Sequence, residues 1–241
     1  MKTYKILLFN VGYCSGLDGS WFDYIFRSHR YLFPPKEVVD GMASYLNQVI
    51  YEEGPDVICL LEIRKGQIDA IMTKLDSRYR FYDFESKYLP NGLTEALPVL
   101  GNHYNGFIAK DKIDFKKFFI KNGSKKLMYE MTIGGVKVFL FHFALGKQVR
   151  ALQFSEIKNI IKKDQPTIIC GDFNTFKGLP ELRKLIRRCN LKVCHKIPTF
   201  PAYNPKKAID LVVASKSLKV ESQIIKSSIS DHLPVLLKVI V

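Results

Sequence analysis

The chain has 241 residues, 47% hydrophobic and 25% charged, which suits a soluble globular protein read as one domain over residues 1–241. Its five cysteines are odd in number and lack any Cys-x-x-Cys, which argues against a zinc ribbon or disulfide scaffold and for a reduced, cytoplasmic compartment. The net charge of +14 is the outlier; outside a generally basic proteome it favours a polyanion as partner, nucleic acid or an anionic membrane surface.

No apolar run approaches the roughly 18 to 20 residues of a membrane span, and the run after Tyr4 is too short for a secretory signal core. Taken in chain order, β-rich apolar runs predict strands at residues 5–10, 57–61, 106–110, 127–133, 136–142, 167–171, 209–214 and 235–241. Cys59 and Cys170 lie inside two of them and read as small buried hydrophobes. Between the runs ending at 133 and starting at 136, Gly134-Gly135 is a two-residue hairpin signal.

Helices fall between these strands. One starts at Pro35 with Val38, Val39, Met42, Leu46, Val49 and Ile50 on one face, and ends at Gly54-Pro55. A weaker pattern covers 67–75. Another runs over 148–163 with Val149, Leu152, Ile157, Ile160 and Ile161 expected inward, and a short one follows Pro180. Strand–helix alternation suggests a parallel sheet, but the central hairpin and closing strands favour a mixed sheet or two packed sheets.

Apolar runs repeatedly meet a polar, chelating or titratable residue at one end. Asn10 closes the first strand and Glu62 the second. His142 closes the hairpin strand, Asp172 and Asn174 follow the next, Asp210 opens another, and Asp231 and His232 precede the last. Each alone has a plain structural reading, such as an Asx turn for Asp172 or a core histidine for His232. Together they suit phosphate-ester hydrolysis. A hard cation such as Mg2+ (or Mn2+) takes carboxylate and amide oxygens, histidine exchanges a proton near neutral pH, and a buried aspartate favours its imidazolium form.

With Gly171-Asp172-Phe173-Asn174 and Ser230-Asp231-His232-Leu233-Pro234-Val235 in hand, the chain resembles the endonuclease/exonuclease/phosphatase superfamily over nearly its whole length. Thr199-Phe200-Pro201 before Ile209-Asp210, and Arg150-x-x-Gln153 after His142, are similar to further motifs of that family. The resemblance implies a deoxyribonuclease I-like α/β fold, a four-layer α/β/β/α sandwich of two packed mixed β-sheets with helices outside. It implies that Glu62 and Asn10 hold or support the metal and that Asp231 assists metal or water. Asp172 would deprotonate or align the attacking water, and Asn174 would bind phosphate. His232, oriented by Asp210, would be the acid/base or phosphate-stabilising group, and His142 belongs with the catalytic and substrate-binding set.

Two departures bear on the branch. Asn10-Val11-Gly12 lacks the second asparagine of abasic-site endonucleases, and His142 stands where those enzymes tend to carry tyrosine. Both features look more like the deoxyribonuclease I, sphingomyelinase and phosphatase branches. Asn105, before Gly106-Phe107-Ile108, is either a phosphate contact or a turn residue. The segment 19–34 interleaves aromatics with arginine, suited to base stacking, to a membrane interface, or to packing on the domain edge. The pairs Lys116-Lys117, Lys125-Lys126, Lys162-Lys163, Arg187-Arg188 and Lys206-Lys207 read mainly as solvated faces.

The leading expectation is thus a monomeric metal-dependent nuclease acting on DNA or RNA. The alternative is a lipid or inositol phosphate phosphoesterase with peripheral contact to an anionic membrane. A non-catalytic binding module would show the loss of Glu62, Asp172 or His232, and all three are present.

Overall fold

The computed structural model describes residues 2–88, 102–162 and 164–241. Lys163, the expected end of one helix and half of one lysine pair, lies outside them. Helices are α1 (Trp21–Phe26), α2 (Lys36–Glu53), α3 (Lys65–Met72), α4 (Lys147–Ile160) and α5 (Arg183–Arg188). Strands are β1 (Thr3–Asn10), β2 (Val57–Ile63), β3 (Phe81–Ser86), β4 (Tyr104–Ala109), β5 (Asp114–Phe119) and β6 (Leu127–Ile133). They continue with β7 (Val136–His142), β8 (Thr167–Asp172), β9 (Leu191–His195), β10 (Asp210–Ser215), β11 (Lys219–Ile224) and β12 (Val235–Ile240).

Among the described residues the strands form two six-stranded sheets, in the orders β11-β12-β1-β2-β4-β3 and β5-β6-β7-β8-β10-β9. Each sheet has one parallel pair at its centre, β1 with β2 and β7 with β8, and its other pairings are antiparallel. Ile6, Leu8, Cys59 and Leu61 of one sheet pack with Leu140, Ile168, Cys170 and Val212 of the other. The outer face of the first sheet is covered by α2 and α3 through Met42, Leu46, Ile68 and Ile71. That of the second is covered by α4 and α5 through Phe154, Ile157 and Leu185. This is the four-layer sandwich.

The hairpin signal is confirmed: Ile133 pairs with Val136, and Gly134 and Gly135 both have positive φ, 57° and 81°. A type I′ turn needs that sign at both central residues, and glycine adopts it without strain. In α2 the expected apolar face is buried or half-buried, and Gly54 ends the helix in the left-handed conformation. The expected face of α4 needs correction. Leu152 is exposed, and the inward positions are Arg150, Gln153, Phe154 and Ile157. Buried polar side chains win there because each finds backbone partners. Gln153 accepts from Ala144 N (2.9 Å) and donates to the carbonyls of Asn122 (3.1 Å) and Lys125 (2.9 Å). Arg150 donates to Ala144 O (3.0 Å) and pairs with Glu181 at 2.6 Å. The helix thereby pins the chain that follows His142.

No helix among the described residues is long and apolar enough to cross a membrane. All five cysteines are free, and Cys59 and Cys170 are fully buried between the sheets.

Candidate active site

Topology explains why residues distant in sequence meet. Parallel β1 and β2 run in one direction, so Asn10 and Glu62 reach the same edge, with Asn10 beside Leu61. In the second sheet His142 and Asp172 are register partners at the ends of β7 and β8. β10 is antiparallel to β8, so its first residue, Asp210, lies opposite Asp172. β12 is antiparallel to β1, so the Ser230–His232 turn ahead of it arrives at the same edge; Ser230 Oγ donates to Asn10 O at 2.8 Å.

Asp210 Oδ2 lies 2.7 Å from His232 Nδ1 and accepts from Thr199 Oγ1 at 2.6 Å. Burial opposes charge on His232. The Asp210 carboxylate and its hydrogen bond, helped by Asp231 and Asp172, outweigh burial and push the imidazole up to about 10. His232 Nε2 is 3.5 Å from Asn10 Nδ2, which also donates to Asp172 Oδ2 at 3.4 Å. Asn10 Oδ1 accepts from Gly12 N at 3.1 Å. Gly12 has φ 49°, and a Cβ there would come within 2.7 Å of Asp231 Oδ1, so a side chain at this position would be strained and would push the Asp231 carboxylate aside.

Asp172 is buried and faces Asp210, and these two effects raise its carboxyl to about 7, against His232 and Lys125, which lower it. Its Oδ1 accepts from Asn174 N at 2.9 Å, and Asn174 Nδ2 donates to Phe143 O at 2.9 Å. His142 is buried with Nε2 3.3 Å from Asp172 Oδ2 and Nδ1 3.7 Å from Glu62 Oε1. Burial and the Lys125 ammonium against Nε2 hold it well below the usual histidine range, so it is neutral. Burial likewise lowers Lys125, to about 8.

Glu62 sits in a bulge of β2 with φ 56°. Asn105, inside β4, accepts from Glu62 N at 3.1 Å. The turn reading of Asn105 is thereby replaced by a positioning contact, with its Nδ2 buried and unpartnered among the described residues. Burial raises Glu62, but the charges of Lys87 (3.2 Å), Lys125 and His232 outweigh it and hold the carboxyl well below the usual range. Tyr13 donates to the same oxygen at 3.2 Å. On the far side, Asp231 Oδ2 accepts from Tyr31 at 2.9 Å and Tyr24 at 3.4 Å, and burial raises its carboxyl.

The sequence-expected residues thus gather at one edge, in two groups joined by His142 and Asn10. Lys87, Lys125, Tyr13, Tyr24 and Tyr31 complete the site and were not singled out from sequence as members, whereas Thr199, part of the motif before Asp210, joins it through that carboxylate. Lys87 follows β3, a strand the apolar pattern does not reveal. Lys125 reads as half of a solvated pair but is partly buried against His142; the pairs at 116–117, 187–188 and 206–207 are exposed as expected. Ligand atoms of Asp172, Asp210 and His232 lie within 4.8 Å of one another, and Asp210 Oδ1 is buried without a partner among the described residues. His232, held charged on Asp210, is no ligand in that state, whereas Glu62, held ionised, and the nearby Asp231 carboxyl offer the oxygens that a hard divalent cation takes.

The endonuclease/exonuclease/phosphatase family profile matches residues 9–232. No curated protein matches the chain. Among solved structures it is similar to sphingomyelinase C from Streptomyces griseocarneus (16% identity, TM-score 0.68, 99% of each chain). It is also similar to a mannosyl-6-phosphatase of Bacteroides thetaiotaomicron (15%, 0.66, 99% of this chain and 100% of that one). Truncated Caenorhabditis elegans TDP2 is a third (18%, 0.62, 99% and 98%). At these identities the likeness speaks for the fold. The profile match, which takes in Gly171–Asn174, Ser230–His232 and every expected site residue, is what shows that the chain belongs to the endonuclease/exonuclease/phosphatase family of phosphoesterase hydrolases.

Proposed function

We propose that the chain is a Mg2+-dependent (or Mn2+-dependent) phosphodiesterase in which water attacks phosphorus. The observation that carries this reading is the opposed pair of carboxylates at one edge: Glu62 is held ionised by Lys87, while Asp172 is raised to about 7 beside a cationic His232. Glu62, Asn10 and Asp231 would hold the cation, which when bound neutralises charge on the phosphoryl oxygens. Asp172 accepts the proton of the attacking water. His232, kept charged by Asp210, donates to the leaving oxygen. Asn174, the Nδ2 of Asn105 and neutral His142 contact the phosphoryl oxygens, adding no negative charge against an anionic substrate.

The +14 charge supports nucleic acid as the substrate. A specific observation favours a lipid-borne phosphate ester instead: the α1 segment beside Asp231 exposes apolar side chains to solvent. The deciding experiment is an activity screen with Mg2+ or Mn2+. It spans plasmid, single-stranded and abasic DNA, RNA, phosphoinositides, sphingomyelin and a generic diester against a monoester. EDTA-sensitive turnover that disappears in Asp172→Asn supports the reading. Inactivity on the whole panel sinks it.

A further inference from the structure

The segment from α1 to the start of α2 is mounted firmly on the rim of the site. Ser20 Oγ caps α1 by accepting from Asp23 N at 3.2 Å, and buried Asp23 pairs with Arg27 at 3.2 Å. Tyr24 and Tyr31 stack with ring centroids 6.5 Å apart and bind Asp231 through their hydroxyls. Arg64 donates to the carbonyls of Tyr31 and Leu32.

A firmly held segment with such anchors ordinarily turns polar side chains outward. This one exposes Trp21, Phe22, Ile25, Phe26, Leu32 and Phe33, with Trp21 71% and Phe33 76% exposed. Concentrated exposure of this kind marks an interaction surface. We infer that this collar docks on an anionic lipid bilayer, laying the Asp231 side of the site against the membrane. For its purpose this rests on the lipid reading of the proposed function; its test does not.

Two features select lipid over nucleic acid. Ile25 and Leu32 have no π-face for a base, and Phe22 and Phe26 pack on each other at 4.8 Å with Arg27 over Phe22 at 5.7 Å. A stacking platform needs open ring faces, whereas mixed aliphatic and aromatic chains including tryptophan suit a bilayer interface. Charge points the same way. Arg27, Arg30 and Lys36 flank the apolar side chains, and the acid within α1, Asp23, is buried and paired. Each cation held near an anionic leaflet strengthens partitioning by about fivefold, and salt screens the effect.

Trp21 is the only tryptophan of the chain, so its emission reports on the collar directly. The full-length protein is titrated with vesicles of phosphatidylcholine containing phosphatidylserine, with pure phosphatidylcholine vesicles, and with single-stranded DNA and RNA. The expected result is a blue shift and co-sedimentation with the anionic vesicles, weakened by salt. Phe26→Ser with Phe33→Ser, both at exposed positions that do not threaten the fold, lowers partitioning at least about tenfold. Hydrolysis of a water-soluble diester by that variant stays unchanged. The inference is overturned if vesicles produce no shift, if oligonucleotides produce the shift in their place, or if Trp21 is buried by concentration-dependent self-association without lipid. Vesicle binding without turnover of any ester would remove the phosphoesterase reading and leave the docking surface standing.

Discussion

Glu62 and Asp172 are carboxylates at the ends of strands from different sheets, linked by one histidine, yet their surroundings push them in opposite directions. Glu62 meets Lys87, Tyr13 and His142 and stays ionised far below the usual carboxylate range. Asp172 meets Asp210 across the β8–β10 register and is raised to about 7. The first environment suits a permanent ligand for cations and the second a proton acceptor near neutral pH. Pairs whose environments drive their titrations apart are where acid/base roles separate. On the proposed reading, one sheet would supply fixed charge and the other a movable proton.

The strongest way to break this comparison is Asp172→Asn. We expect metal-dependent hydrolysis to fall by about 10^3-fold, within the range for loss of a general base. The same change should raise Tm at pH 8 by a few degrees. Its sign follows from linkage: a carboxyl raised to about 7 costs stability where it is ionised, a cost that is full above about 7, declines as pH falls from there toward the ordinary aspartate value of about 3.9, and is absent in the amide. A variant that is both active and less stable contradicts the assignment.

Asn105→Ala tests the other pole, because it removes the acceptor that holds Glu62 in its bulge. Apparent Mg2+ affinity should weaken by about 10- to 100-fold, read from metal titrations of activity and from Mn2+ calorimetry. Unaltered affinity would mean that Glu62 is not a metal ligand or needs no such support.

Asp210→Asn should move the alkaline limb of the pH–rate profile to lower pH, since His232 is raised to about 10 chiefly by that carboxylate. Stability should change in the same window. The pair contributes fully below the ordinary histidine pKa of about 6.5 and is lost as pH rises through about 10. The variant should therefore show a flatter dependence of Tm on pH between those values. The smallest effect is expected for Lys87→Met. Without the ammonium, Glu62 loses a counter-charge, so metal-free Tm drops by a few degrees and the Tm gain on adding Mg2+ grows. Equal gains in both proteins would show that Lys87 and the cation do not share that carboxylate.

The site was legible in sequence where a strand end carries a chelating or titratable residue. Asn10, Glu62, His142, Asp172, Asn174, Asp210, Asp231 and His232 all reach one edge, although their roles rest on the experiments above. The residues that tune them were not legible. Lys125 looked like half of a solvated pair, and Tyr24 and Tyr31 were submerged in an aromatic segment with several readings. Their contacts with His142 and Asp231 cross 17, 207 and 200 residues of chain, and no local pattern encodes such a distance.

The fold divides along the same line. The apolar pattern marks β1, β2, β4, β6, β7, β8, β10 and β12, which are the inner strands of both sheets. It misses β3, β5, β9 and β11, which are the four edges. Inner strands are buried on both faces and so read as continuous apolar runs. Edge strands carry exposed, charged positions, as β5 does in Asp114, Lys116 and Lys117 and β11 in Lys219 and Glu221, and lose that signature. The sequence by itself determined the inner framework and the chemistry at its strand ends, because burial and ligand chemistry are written residue by residue. Only the tertiary structure decided strand order, the inward polar face of α4 and the opposed charges of Glu62 and Asp172, because each depends on which distant groups are brought within a few ångströms.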